Sequence, residues 1–250
     1  MRKSKIAISL DKPLLDIIDS KVDGSIIRSR SQAIEYYLKK GLGNDFIDIG
    51  IIFLKGEHQK YSLMNLQGKP LIFHQIYLLE TVGINFIYLL TQNSIYTNQL
   101  EKLLAKTNVK IVFTKAKGTA EALNSIRNIL HNREFIAMSG DIYNMFDIKK
   151  MVLKHKSYGK IVTMGLISKS EMSKSGAVIL DGDIIIDFEE KPKTPKSNIA
   201  NAGIYIMSSR IFEYLNRETI SLERDVFPKL AKKEELVGFF THGEYKHMEQ

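Results

Sequence analysis

From residue 47 onward, strand-like and helix-like segments alternate, and this alternation constrains the fold more than any other feature. The run from Ile47 to Leu54 is almost entirely apolar, which is typical of a strand buried on both faces. An Asp181-Gly182 turn between two apolar runs predicts a hairpin. Further strands are predicted over 84–90, 110–113 and 134–138, and helices over 70–82, 96–106 and 119–130. The order predicts an α/β domain with a mainly parallel, mixed sheet.

The first 43 residues follow a different pattern. Residues 5–10 alternate between polar and apolar side chains, which predicts a single strand. Asp11 and Pro13 then mark the start of one helix, and the Ser29-Arg30-Ser31-Gln32 sequence marks the start of a second. A short glycine-bearing stretch at 41–45 follows the second helix. We therefore predict two domains, over residues 1–43 and 44–250.

A strand and two short helices cannot bury a stable core alone, whereas two copies could pair their strands and share their helices. The segment resembles the ribbon-helix-helix DNA-binding domains, whose paired strands enter the major groove. The resemblance implies base contacts from the strand and phosphate contacts from the second helix start; the residues are Lys3, Lys5, Ala7, Ser9, Ser29, Arg30 and Ser31. A plain dimerisation module, or a strand that joins the larger sheet, remains as an alternative.

Six motifs in the larger domain resemble those of the sugar-phosphate nucleotidyltransferases. They are the segments beginning Gly68-Lys69-Pro70, Gly118-Thr119-Ala120, Ser139-Gly140-Asp141, Phe188-Glu189-Glu190-Lys191-Pro192, Asn201-Ala202-Gly203-Ile204-Tyr205 and Ser221-Leu222-Glu223. This resemblance implies a Rossmann-like nucleotidyltransferase domain. It also implies a nucleotide or sugar-nucleotide site formed by Gly118, Thr119, Asp141, Glu190, Lys191, Asn201, Gly203 and Glu223, with Asp141 as a metal ligand.

Two departures from that family pattern bear on catalysis. The family has a long glycine-rich loop with an arginine after its first strand. The corresponding loop of this chain, residues 55–64, is shorter and contains Gly56 and Glu57. His247 stands where the family has a second metal-binding aspartate, and imidazole is a poor Mg²⁺ ligand. We therefore expect no catalytic residues and no required cofactor, with Mg²⁺ entering only if nucleotide binding is retained.

The composition favours a polyanionic partner, since the net charge is +8 at pH 7. There is no cysteine and no long apolar run, so disulfides and a membrane are excluded and a cytoplasmic location is expected. The first hypothesis is a dimeric, sequence-specific DNA-binding transcriptional regulator whose inactive larger domain senses a ligand or oligomerises. The alternatives are an active sugar-phosphate nucleotidyltransferase, joining a nucleoside triphosphate to a sugar 1-phosphate with release of pyrophosphate, and an architectural DNA-coating protein.

Overall fold

The chain divides into two compact units, Met1–Phe46 and Ile47–Gln250. The computed structural model describes residues 6–22, 27, 29–41, 47–172, 175–240 and 243–248. Among these residues, no helix combines the length and apolar character needed to cross a membrane.

The first unit contains two helices, α1 (Lys12–Asp19) and α2 (Arg30–Gly41). Asp11 caps α1 by accepting a hydrogen bond from the backbone N–H of Leu14 at 2.9 Å, as its position before Pro13 predicts. Three apolar residues form the small buried cluster of this unit; they are Ile18, Ile27 and Ala33. Residues 6–10 are not in a strand, in contrast to the prediction. The physical reason is that a strand requires a hydrogen-bonded neighbour, which these residues do not have in a single chain.

The second unit is an α/β domain. Its strands are β1 (Ile49–Leu54), β2 (Asn65–Leu66), β3 (Lys69–Pro70), β4 (Phe86–Thr91), β5 (Val109–Phe113), β6 (Glu134–Ser139), β7 (Ile142–Asn144), β8 (Val162–Ser168), β9 (Gly176–Asp181), β10 (Ile184–Glu190), β11 (Ile199–Ser208), β12 (Leu236–Phe240) and β13 (Tyr245–His247). Its α-helices are α3 (Gln59–Ser62), α4 (Leu71–Glu80), α5 (Thr97–Leu104), α6 (Thr119–Ser125), α7 (Ile148–Tyr158) and α8 (Phe227–Lys232). Short 3₁₀ segments cover Gly56–His58 and Ser209–Tyr214, and a π-helical turn covers Leu222–Val226.

One large sheet organises this unit, with strand order β5-β4-β1-β6-β11-β8-β12-β10-β9 in the described chain. Strands β5, β4, β1 and β6 are parallel neighbours, and β12 is parallel to β8. The strand β11 is antiparallel to both β6 and β8, and β9 and β10 form the predicted antiparallel hairpin. The α/β prediction is therefore confirmed, but the sheet is not mainly parallel as expected, because the strands of its second half pair mostly antiparallel.

Apolar side chains fill both faces of the sheet. Tyr205 and Phe227 lie in the cluster on one face, and Ile52 and Leu79 lie in the cluster on the other. The predicted helix over 119–130 is shorter than expected and ends at Ser125, followed by turns through residue 132. Because β1, β4 and β6 are parallel, their carboxyl ends meet at one edge of the sheet, which is where open α/β sheets bind ligands.

Candidate functional site

A cavity of about 560 Å³ opens at the carboxyl ends of the parallel strands. Lys55, Gln92 and Asp141 follow β1, β4 and β6 and contribute to its wall. The structure brings every residue of the predicted ligand site to this cavity: Gly118, Thr119, Asp141, Glu190, Lys191, Asn201, Gly203 and Glu223. Residues from widely separated motifs therefore line one space that is large enough for a small molecule.

Gly118 and Thr119 form the start of α6 and are fixed to the segment before the π-helical turn. A Cβ atom on Gly118 would lie 2.4 Å from the backbone oxygen of Ile220, so only glycine fits at this approach. The hydroxyl of Thr119 donates to Glu223 Oε2 at 2.7 Å and accepts from the backbone N–H of Leu222 at 2.9 Å. The close approach of Gly118 and the hydrogen bonds of Thr119 therefore fix this part of the cavity wall.

Glu190 and Glu223 place two carboxylates in the cavity. Burial, followed by the charge of Glu223, raises the pKa of Glu190 to about 7. Glu223 Oε2 also accepts a hydrogen bond from Ser221 Oγ at 2.7 Å. The neighbouring Lys191 has a positive φ of 51°, an unfavourable conformation for a side-chain-bearing residue, which is often found at functional sites. Together, the side chains of Glu190, Glu223 and Lys191 can accept hydrogen bonds from the hydroxyls of a ligand and donate hydrogen bonds to them.

Asn201 and Gly203 shape the cavity wall where β11 departs from regular pairing with β8. The Asn201 amide donates to Tyr205 Oη at 2.7 Å, and its Oδ1 accepts from the backbone N–H of Gly203 at 2.9 Å. Gly203 has a φ of 67°, and a Cβ there would lie 2.4 Å from Ile142 Cδ1. The irregular strand thus requires both the amide and the glycine at these positions.

Asp141 lies between two histidines. Its Oδ2 is 2.9 Å from His58 Nδ1 and 4.0 Å from His247 Nε2. Burial alone would raise the pKa of Asp141, but the hydrogen bond from His58 and the charge of His247 hold it below its usual range. The strand β13 pairs with β7 and carries His247 to this place. Asp141 is therefore ionised, and two imidazoles face the same carboxylate oxygen.

The cavity also contains residues that the sequence did not predict, among them His58, Tyr245, Gln92 and Ser175. Burial, and then the nearby charge of Asp141, raises the pKa of Tyr245 well above its ordinary value. Only the position of His58 in the segment after the first strand offered a signal, because ligands commonly bind there in parallel sheets. Nothing local in the sequence indicates that Tyr245 returns to β7.

The residues predicted to contact DNA belong to the first unit. Lys3 and Lys5 lie outside the described residues, and Ala7 and Ser9 are exposed. Ser29 accepts a hydrogen bond from the backbone N–H of Gln32 at 3.3 Å, and Ser31 is exposed on α2. Arg30 forms two 2.6 Å hydrogen bonds with Asp19, so its guanidinium has a partner within the unit.

Several known proteins are similar in sequence to the second unit. The sequence profile of the family described as Nucleotidyl transferase matches residues 57–245. A mannose-1-phosphate guanylyltransferase catalytic subunit beta from Drosophila pseudoobscura pseudoobscura is 33% identical over 72% of this chain and 51% of its own length. Mannose-1-phosphate guanylyltransferase 1 from Arabidopsis thaliana is 29% identical over 72% of this chain and 53% of its own length. The chain spans about half the length of the curated relatives it matches.

Solved structures of other proteins have a fold similar to that of the second unit. A Bacillus anthracis protein described as a candidate glucose-1-phosphate thymidylyltransferase has a TM-score of 0.71 at 23% identity, covering 80% of this chain and 89% of its own. A UDP-glucose pyrophosphorylase bound to UDP-glucose has a TM-score of 0.67 at 19% identity, covering 82% of this chain and 94% of its own. The second unit thus has the α/β fold of sugar nucleotidyltransferases.

These findings correct the first functional hypothesis. The relatives are enzymes that act on sugar phosphates, so the interpretation as a DNA-binding transcriptional regulator with an inactive larger domain is wrong. Double-stranded DNA is not supported as a partner, and the same holds for an architectural DNA-coating protein. That hypothesis rested on the N-terminal pattern together with the short loop at residues 55–64 and His247. The findings support the catalytic alternative instead.

Proposed function

Because the chain belongs to the nucleotidyl transferase family, we propose that its second unit transfers a nucleotidyl group from a nucleoside triphosphate to a sugar 1-phosphate. A phosphate oxygen of the sugar 1-phosphate attacks the α-phosphorus, the bond between that phosphorus and the bridging oxygen to the β-phosphate breaks, and pyrophosphate leaves. GTP and mannose 1-phosphate are the first substrates to test, since the named relatives are mannose-1-phosphate guanylyltransferases.

One observation carries this proposal: a single cavity collects residues from five of the six motifs and offers distinct chemistry to each part of the substrates. The carboxylates of Glu190 and Glu223 suit sugar hydroxyls, which both donate and accept hydrogen bonds. Lys55, Lys117 and Lys191 supply positive charge for phosphates. By holding both reactants in one space, the cavity would lower the entropic cost of bringing the phosphate oxygen to the phosphorus.

The residues at Asp141 do not match a Mg²⁺ site built by the protein. Mg²⁺ prefers oxygen ligands in octahedral geometry, whereas Asp141 Oδ2 lies 2.9 Å from His58 Nδ1 and 4.0 Å from His247 Nε2. In the part of the chain that the structure describes, no group of three His, Asp or Glu side chains has the arrangement of a metal site. The assay of turnover therefore compares each substrate pair with and without Mg²⁺.

The test is a turnover assay on the full chain with GTP and mannose 1-phosphate, followed by other nucleoside triphosphates and sugar 1-phosphates, each with and without Mg²⁺. We expect stoichiometric nucleotide sugar and pyrophosphate, and a fall in rate of about 100-fold or more in Lys191→Met, which removes a cavity cation. Lys229→Met is the control, because Lys229 lies on α8 and does not line the cavity. No product with any substrate pair would contradict the proposal.

The first unit is proposed to be a separate strand-helix-helix module, of the ribbon-helix-helix type, that joins two copies of the chain. Its buried cluster contains only three residues among those described. Several large apolar side chains of the unit are exposed in the single chain; they are Ile6, Ile8, Leu14, Ile17, Tyr36 and Leu38. A unit of this size with so small a core needs further apolar burial to be stable, and a second copy supplies it.

A further inference from the structure

The lysines of the cavity differ in what surrounds them. Three lysines are among the described residues that line it; they are Lys55, Lys117 and Lys191. Burial raises the pKa of Glu190, and the charge of the neighbouring Lys191 opposes that effect, so Lys191 already acts on a carboxyl group of the protein. Lys55 and Lys117 form no ion pair with the described part of the chain. Their positive charge is therefore left for a ligand.

One side chain joins the two segments that carry these lysines. Gln92 Oε1 accepts a hydrogen bond from the backbone N–H of Gly56 at 2.6 Å, and Gln92 Nε2 donates to the backbone oxygen of Ala116 at 2.8 Å. Gly56 directly follows Lys55, and Ala116 directly precedes Lys117. The two lysines therefore extend from backbone positions that a single amide group holds together, although one segment follows β1 and the other follows β5.

The backbone beside each lysine is also fixed by a further contact. A Cβ atom on the buried Gly56 would lie 3.1 Å from the backbone oxygen of Asn93, so the chain passes close to the end of β4. The backbone N–H of Lys117 donates to Glu121 Oε2 at 2.6 Å. Because the fold sets where both side chains begin, less conformational entropy is lost when their ammonium groups bind a ligand.

Two ammonium groups on one cavity wall suit a ligand with more than one phosphate. A lysine ammonium is a compact point charge that binds phosphate oxygens in many orientations. In the proposed reaction the sugar 1-phosphate carries one phosphate, whereas the leaving group of the nucleoside triphosphate carries two. Charge complementarity therefore favours the two leaving phosphates as the ligand of Lys55 and Lys117.

We propose that Lys55 and Lys117 together bind the β- and γ-phosphates of the nucleoside triphosphate, in a subsite that Gln92 assembles at the ends of β1, β4 and β5. The inference rests on the proposed function, because it concerns the same cavity. Lys55 and Lys117 contact the ligand, and Gln92 is a positioning residue that acts through them. The subsite takes two linked phosphates without the rest of the nucleotide, so inorganic pyrophosphate is a ligand of the free protein.

Calorimetric titration of the full chain with inorganic pyrophosphate and with inorganic phosphate, each with and without Mg²⁺, tests the proposal. We expect the wild type to bind pyrophosphate about 10-fold or more tightly than phosphate. Lys55→Met and Lys117→Met should each weaken pyrophosphate binding by about 10-fold, the usual scale for removing a charge-assisted hydrogen bond. Lys115→Met is the matched control, because Lys115 is exposed on the same segment as Lys117 and does not line the cavity. Its pyrophosphate affinity should equal that of the wild type.

Gln92→Leu tests the assembly of the subsite. This variant keeps both positive charges but loses the two hydrogen bonds that join the segments, so pyrophosphate affinity should fall while its dependence on salt concentration stays that of the wild type. In the lysine variants the salt dependence should become weaker, because one screened charge contact is missing. Near-UV circular dichroism establishes that each variant is folded. Wild-type affinity in Gln92→Leu would refute the positioning role.

The outcomes separate this inference from the proposed function. Unchanged pyrophosphate affinity in Lys55→Met or in Lys117→Met would overturn the subsite, and so would a wild-type chain that does not bind pyrophosphate. The titration requires no turnover, so lysine-dependent pyrophosphate binding without nucleotide-sugar formation would refute the proposed reaction and leave the subsite standing. Turnover with an unchanged KM for the nucleoside triphosphate in both lysine variants would support the reaction and refute the subsite.

Discussion

At the scale of single residues, Glu190 has the most informative environment. It is partly buried at the end of β10, and its pKa of about 7 is raised from an ordinary value of 4.5 by burial and by Glu223. Folding therefore favours the protonated carboxyl. The stabilising contribution of protonated Glu190 is complete below about pH 4.5 and is lost as the pH rises through 7.

We predict that Glu190→Gln removes this part of the pH dependence of stability. Between pH 5 and pH 8, the free energy of unfolding of the wild type should fall by about 2 kcal/mol more than that of the variant. Urea unfolding at the two pH values measures the difference. Glu189→Gln serves as the control, because Glu189 is the exposed neighbour on the same strand and should follow the wild type. Parallel profiles for wild type and Glu190→Gln would contradict the assigned pKa.

The sequence predicted many of the cavity residues, and the reason is visible at individual positions. Gly118 and Gly203 occupy places where a Cβ would collide with neighbouring atoms, so their motifs are tied to local geometry. The sequence could not predict that His58 and His247 meet at one carboxylate, since they are brought together by elements far apart in the chain. The contact of both histidines with the Asp141 carboxylate therefore forms only in the folded protein.

At the scale of elements, the segment from Gly56 to Ser62 depends on one buried amide. Gln59 satisfies hydroxyl and carbonyl groups at the end of β4 and the start of α5, among them Thr91 Oγ1, the Gln92 backbone oxygen and Ser94 Oγ. Leucine has a similar size but no polar atoms, so these partners would lose their hydrogen bonds in a buried place.

Gln59→Leu should therefore destabilise the chain by about 3 kcal/mol, which reflects two or more unsatisfied buried groups. Thermal and urea unfolding measure the loss. Gln99→Leu on the exposed side of α5 provides the comparison and should change the stability by less than about 0.5 kcal/mol. Equal stability of Gln59→Leu and the wild type would show that the segment is held by other contacts.

The sequence was most informative for elements with strong local signals. The apolar strand β1 and the Asp181-Gly182 hairpin form as predicted, because buried runs and two-residue turns encode their own conformation. The short helix α3 escaped prediction because a four-residue helix has no readable period. The pairing of β13 with β7 was not predicted either, because it joins residues about a hundred positions apart and leaves no local pattern.

At the scale of the whole molecule, the two units differ in what they bury. The second unit contains two extensive apolar clusters, one on each face of its sheet, whereas the described part of the first unit contains one small cluster. Residues 6–10 keep the alternation of a strand, and Ile6 and Ile8 are 77% and 49% exposed in the single chain. An extended segment with one apolar side pairs most simply with the same segment of a second copy, in antiparallel register about a twofold axis.

Ile8→Lys should break that pairing. A lysine at this position would place an unpaired charge inside the shared core, so the dimer dissociation constant should rise by about 100-fold or more. Ser9→Lys adds the same charge on the polar side of the segment and should leave the dimer intact. Size-exclusion chromatography with light scattering over a range of protein concentrations distinguishes the two. An Ile8→Lys chain that remains dimeric at the concentration where the wild type is half dissociated would show that the first unit does not form the interface.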